Sequence, residues 1–205
     1  MKLFTCLGGH IVLPNRHRLL NSRLDGGNLL VIPPREVWDR SELSPSELTH
    51  WSFLVAAAGR AMLEVLPQLR GGCINYWEAG NWALHDSAEP PGPKTAREFR
   101  RVHLHLLGRS RTATNPSWQW GEAPRFPKFV NRNSWAADFE RLNARECLDI
   151  VTRVESLMKN VYQMPVSQIS PWSICGRCGY PTAGETVQFE NLCAEDHSVS
   201  SLTGI

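Results

Sequence analysis

Apolar and polar residues alternate from Arg101 to Leu106, within the run Arg100-Arg101-Val102-His103-Leu104-His105-Leu106-Leu107-Gly108-Arg109. That is the period of a half-buried strand, whose successive side chains point to opposite faces. The pattern predicts Val102, Leu104 and Leu106 on a core face, with Arg101, His103 and His105 sharing the other. Elsewhere His10-Ile11-Val12-Leu13-Pro14 reads as a short strand, and Leu24-Asp25-Gly26-Gly27-Asn28 as a turn. Leu29-Leu30-Val31-Ile32 is an apolar strand stopped by Pro33-Pro34, and Cys73-Ile74-Asn75-Tyr76-Trp77 is a further strand.

Two stretches carry helical periodicity. Ser44-Pro45-Ser46-Glu47 is a capping box with proline at the first helical position. Leu48, Trp51, Val55, Ala58, Met62 and Val65 then recur at helical spacing to about Leu66, as a core stripe. A second helix has Leu148, Val151, Val154 and Met158 as its buried stripe and ends at Gln163-Met164-Pro165; either Ser134 or Asn143, with Glu146 three residues on, caps it. Residues 112–135 hold Trp118, Trp120, Phe126, Phe129 and Trp135 among prolines without periodicity, and read as an irregular excursion wrapping the core.

Composition narrows the class. The 205 residues are 42% hydrophobic and 20% charged, enough for an ordinary core. The formal charge of +2 argues against a large polyanionic partner. No run is long and apolar enough for a membrane span, and Met1–Cys6 is too short for a targeting segment. The six cysteines then suggest a reducing, cytoplasmic compartment rather than a disulfide framework. Three cluster in the tail: Cys175-Gly176-Arg177-Cys178 has the form of a zinc knuckle, and Cys193 and His197 are spaced to complete it. Four soft ligands without an open position describe a structural Zn²⁺ site.

The strand offers phosphate chemistry. Neutral imidazole is a competent nucleophile near pH 7, and guanidinium groups fork onto phosphate oxygens. A surface pair of histidines, or a catalytic metal held by His103 and His105, is the competing reading. Arg109 flanks the strand, and Lys94 closes a Pro- and Gly-rich loop from His85, where ligand contacts are common.

Gly27-Asn28-Leu29-Leu30-Val31-Ile32-Pro33, the helix opened by Leu43-Ser44-Pro45-Ser46-Glu47, the strand into Glu78-Ala79-Gly80, and Val102–Arg109 occur in an order that resembles the histidine triad (HIT) superfamily of nucleotide hydrolases and transferases. The similarity spans roughly residues 10–111. The family strand reads His-φ-His-φ-His-φ-φ, with φ apolar. Leu106-Leu107 supplies the closing apolar pair, so His105 matches the third histidine, His103 the middle one, and Arg101 replaces the first.

The resemblance implies an α+β fold, an antiparallel sheet with packed helices, often paired as a homodimer. The Cys/His spacing and the small polar end of the chain place a zinc module at 171–198 and a disordered tail at 199–205, beyond the HIT-like domain over 1–165 (core 10–111, wrapping segment and helix 112–165) implied by the resemblance. The resemblance further implies a hydrolase or nucleotidyltransferase acting at an α-phosphate through a covalent nucleotidyl-histidine on His103, with His105 contacting phosphate oxygens or the leaving group. Dinucleoside polyphosphates and nucleoside phosphoramidates are the default substrates.

Asn28, Asn75, Glu78, Asn81, Lys94, Arg101 and Arg109 are the candidate substrate contacts, with His85 as a candidate general acid. Asn75 has the alternative of bonding neighbouring backbone. Asn28 stands where the family usually has the histidine of a Gly-His pair, and Glu36 where a histidine usually follows the strand. These departures leave a second reading, a slow or non-catalytic nucleotide-binding module. A HIT domain followed by zinc is also similar to aprataxin-like proteins, which remove adenylate from DNA ends. However, Arg177 is the only lysine or arginine from Cys175 to His197, which argues against a nucleic-acid partner.

Overall fold

The computed structural model describes residues 1–164, together with the backbone of 172–174 and 181–183. Seven strands and four α-helices follow in the order β1 (Lys2–Cys6), β2 (Gly9–Val12), β3 (Asn28–Ile32), α1 (Pro45–Val65), β4 (Cys73–Ala79), α2 (Ala96–Phe99), β5 (His103–Arg109), α3 (Arg132–Trp135), α4 (Ala144–Asn160), β6 (Trp172–Ile174) and β7 (Pro181–Ala183). The first five strands form one sheet of order β1-β2-β3-β5-β4, with every neighbouring pair antiparallel. The histidine strand β5 is thus an interior strand, between β3 and the edge strand β4. Strands β6 and β7 pair as a separate two-stranded ribbon.

Both long helices start where the local chemistry says. The Ser44 hydroxyl accepts from the Glu47 N–H while the Glu47 carboxylate accepts from the Ser44 N–H. Asn143 and Glu146 repeat this reciprocal cap on α4, which decides the alternative in favour of Asn143. Ser134 instead lies within the short α3.

The two helices pack together on one sheet face. Trp51, Leu54, Ala57, Ala58, Ala61 and Met62 of α1 are buried, as are Cys147, Ile150, Val151, Val154, Leu157 and Met158 of α4. Leu29 and Val31 of β3, with Leu104 and Leu106 of β5, complete this core. The expected stripes are corrected in phase: Leu48 and Leu148 are exposed, and Val55 and Val65 are only half-buried.

Strand β1 had no counterpart in the sequence pattern. Leu3 and Phe4 are adjacent yet both fully buried, because the pairing with β2 slips between Lys2 and Phe4. Such a bulge destroys the period of two.

The opposite face of β5 carries a second, smaller core. Leu20, Leu107 and Trp118 are buried there, with Trp77, Trp82 and Phe126 packed against them. Residues 112–126 therefore form a cover over the histidine face. Its attachment begins at a backbone crossing of Gly26 and Gly108, where a Cβ on Gly108 would lie 2.0 Å from the Gly26 oxygen. Only glycine permits that approach. Asp25 secures the cover's start, its carboxylate accepting from the Thr114 N–H at 2.7 Å.

Candidate active site

Antiparallel pairing puts directly opposed residues on the same sheet face. His103 is opposite Ala79, and His105 lies between Leu30 and Trp77. His103 and His105 therefore share one face, with ring centres 5.2 Å apart. Val102, Leu104 and Leu106 are buried on the other side in the main core.

The hydrogen bonds assign the two rings opposite tautomers. His103 Nδ1 lies 2.9 Å from the Arg101 carbonyl oxygen. That oxygen can only accept, so Nδ1 carries the hydrogen and the Nε2 lone pair is free. His105 Nδ1 faces the Asn28 amide nitrogen at 3.4 Å. The Asn28 oxygen accepts from the Leu20 N–H at 3.1 Å, which fixes the amide so that its NH₂ points at His105. The His105 Nδ1 then accepts and its Nε2 bears the hydrogen. One ring offers a lone pair and its neighbour a donor.

The surroundings of both rings favour the neutral form. Burial lowers the His103 pKa below the ordinary value, the Arg101 carbonyl opposes that, and the cations of Arg18 and Arg100 lower it further. His105 lies well below the ordinary value through burial, with the neighbouring His103 adding to it.

The remaining expected contacts are mostly committed elsewhere. Asn28 is 1% exposed and touches His105 rather than open surface, so it is a positioning residue. Glu78 is opposite Leu104, on the helix face of the sheet, and is paired to Arg40 and Arg100. The Arg101 guanidinium meets Glu36 at 3.2 Å and the carbonyls of Glu98 and Arg100. Lys94 spends its ammonium on the carbonyls of His85, Ala88 and Gly92, closing its own loop. Arg109 is 4% exposed and donates to the Gln119 and Glu122 carbonyls at 2.7 and 2.9 Å, with Trp118 against it. It anchors the cover.

Asn75, opposite Leu107, is on the histidine face but away from His103. Asn81 is exposed, two residues past Ala79, the partner of His103. His85 is exposed and stacks on Phe129. Cys175, Cys178, Cys193 and His197 lie outside the described residues, although β6 and β7 flank the first two in sequence. Among the described residues no group of three His, Cys, Asp or Glu is placed to hold a metal ion, and no helix is long and apolar enough to cross a membrane.

Sequence reasoning missed three neighbours. Trp77 lies 5.6 Å from the His105 ring, and Phe126 stacks on Trp77 at 4.1 Å. Arg18 is exposed on the 3-10 turn Arg16–Arg18 and acts on His103. Trp77 becomes legible once β4 is aligned on β5. No local signal marks Arg18.

The Asn28 role has a measurable consequence. Asn28→Ala removes the group that holds the His105 tautomer, a hydrogen bond of about 1 kcal/mol. If the chain turns over nucleotide, as the resemblance implies, the expected change is a fall of about tenfold in kcat with little change in KM. A rise in KM at constant kcat would return Asn28 to direct substrate contact. Comparison with known proteins adds no assignment: no family model matches the chain, and no curated protein matches it.

Proposed function

We propose that the chain is a HIT-like nucleotide hydrolase or nucleotidyltransferase that works through a nucleotidyl-histidine on His103. The observation that carries this reading is the Arg101 carbonyl on His103 Nδ1, which leaves Nε2 as a free nucleophile. The replacement of the first triad histidine by Arg101 leaves that backbone oxygen in place.

In the first half-reaction His103 Nε2 attacks the α-phosphorus. A P–N bond forms, and the bond from phosphorus to the leaving-group oxygen or nitrogen breaks. The leaving group departs with the electron pair and takes a proton from solvent. The imidazolium so created keeps its Nδ1–H on the Arg101 carbonyl, an arrangement that stabilises the charge. His105 Nε2–H donates to a phosphate or leaving-group oxygen. Water then attacks phosphorus, the P–N bond breaks, and the water proton is released as the neutral imidazole returns.

The test is rapid quenching with nucleotide substrate followed by denaturing mass spectrometry. The expected product is one nucleoside monophosphate on His103. Nucleotide binding with neither adduct nor turnover would instead make the chain a binding module.

For the tail we propose structural Zn²⁺ held by Cys175, Cys178, Cys193 and His197. Elemental analysis of the purified chain is expected to give about one zinc per molecule and about none in a Cys175→Ser, Cys178→Ser double variant. Equal zinc in both would remove the assignment.

A further inference from the structure

The carbonyl that orients the His103 ring is itself held from outside its strand. It belongs to the Arg101–Val102 peptide, which lies just ahead of β5. The N–H of that peptide, on Val102, donates to the Val37 carbonyl at 2.9 Å. A planar trans peptide points its N–H and C=O in opposite directions. Val37 on one side and His103 on the other therefore fix the plane between them.

The residue before Arg101 is tied to the same segment. The Arg100 guanidinium donates to the Trp38 carbonyl at 2.5 Å, to Glu78 Oε1 at 2.9 Å and to the Asp39 carboxylate at 3.4 Å. Residues 37–39 thus grip the chain on both sides of Arg101. The second Glu78 oxygen accepts from Arg40 Nε at 2.6 Å, so one carboxylate joins β4, the 37–40 segment and Arg100. Arg100 and Glu78 are 15% and 19% exposed in their side chains, so salt screens the pair little. Arg97, by contrast, is exposed and meets Glu42 only at 3.8 Å. The turn after β4 closes on the same atoms: a Cβ on Gly80 would stand 2.9 Å from Arg100 Cγ and 3.1 Å from the Arg101 oxygen.

We propose that Arg100 and Glu78 are positioning residues for His103: together with Val37, Trp38 and Asp39 they clamp the Arg101–Val102 peptide so that its carbonyl stays on Nδ1. Both act through the backbone rather than on the ring. The clamp matters because imidazole can carry its hydrogen on either nitrogen, and the hydrogen bond it makes decides which. Only the Nδ1–H form leaves the Nε2 lone pair free to attack. A peptide free to turn would let the ring lose that bond and populate the inactive tautomer. The catalytic meaning of the clamp rests on the nucleotidyl reading of His103, whereas its hold on the ring needs no substrate.

The experiment is NMR of the full chain labelled with nitrogen-15 in its histidine rings, which reads each tautomer without substrate. Signals are assigned with His103→Gln and His105→Gln, and the same samples are assayed for turnover of a dinucleoside tetraphosphate. The native chain is expected to show Nδ1–H on His103. Arg100→Lys keeps the charge but not the fork that spans Trp38 and Glu78. It and Glu78→Ala are expected to mix the His103 tautomers and to leave His105, held by Asn28, as in the native chain. Their kcat falls about tenfold with KM within about twofold. Glu78→Gln, which keeps an acceptor oxygen for Arg100, recovers most of what Glu78→Ala loses. An unchanged His103 tautomer in Arg100→Lys and Glu78→Ala would overturn the clamp. Equal disturbance of both rings would also overturn it, leaving the pair as general structural support. A native chain with Nδ1–H on His103 but neither turnover nor adduct would bring down the nucleotidyl reading, while the tautomer shifts in the variants would still show the clamp.

Discussion

On the proposed nucleotidyl mechanism, replacing His103 by alanine is expected to lower nucleotide turnover by about 10³-fold or more while nucleotide affinity stays nearly constant. The magnitude follows from removing a nucleophile, the one group whose bond to phosphorus exists only along the reaction path. Ground-state binding depends on other contacts, so affinity for a non-hydrolysable analogue is the control. Stability should change little, since the lost side-chain bond to the Arg101 carbonyl is one hydrogen bond of about 1 kcal/mol. Single-turnover kinetics with parallel calorimetry measure both quantities, and turnover within tenfold of native would remove His103 from the reaction.

On the same proposal, His103 sets an acid limit on turnover. The neutral ring is the nucleophile, and burial holds its pKa below the ordinary value of about 6.5. A pH–rate profile is therefore expected to lose activity only as pH falls through that depressed value, on the acid side of an ordinary imidazole.

Trp118→Ala is the most damaging single change expected for stability, at about 3–5 kcal/mol. Trp118 is fully buried and fills the small core between Leu20 and Leu107, edge-on to Phe126 at 5.7 Å. For a chain of this length that loss corresponds to a fall in Tm of roughly 6–20 °C, read by thermal denaturation. Its indole N–H is buried without a hydrogen-bond partner among the described residues. The loss is therefore one of packing, and Trp118→Phe is expected to cost under about 1.5 kcal/mol. A Trp118→Ala melt within about 2 °C of native would show that the cover over the histidine face is not part of the cooperative unit.

Helix starts were readable because a cap is closed within three residues. Ser44 with Glu47, and Asn143 with Glu146, need no distant partner. The helix stripes were readable only in outline. Leu48 satisfies the spacing but is exposed, whereas Leu54 is fully buried. Strand β1 was hidden by its bulge. On β5 the core side was right, but the histidine side was expected to be polar, and Leu107 and Arg109 are instead buried under residues 112–126.

Taken alone, the sequence determined the strand of His103 and His105, the two capped helices and the apolar side of β5. Each depends on residues a few positions apart, where backbone period and local hydrogen bonding decide the outcome. Tertiary structure decided what each polar group does. The His105 tautomer depends on Asn28, brought alongside by β3, and the charges of Glu78, Arg101 and Arg109 are spent on partners supplied by other elements or by the fold of the cover. A side chain's chemistry is fixed by its type, but its availability is fixed by which donors and acceptors the fold brings within hydrogen-bonding distance.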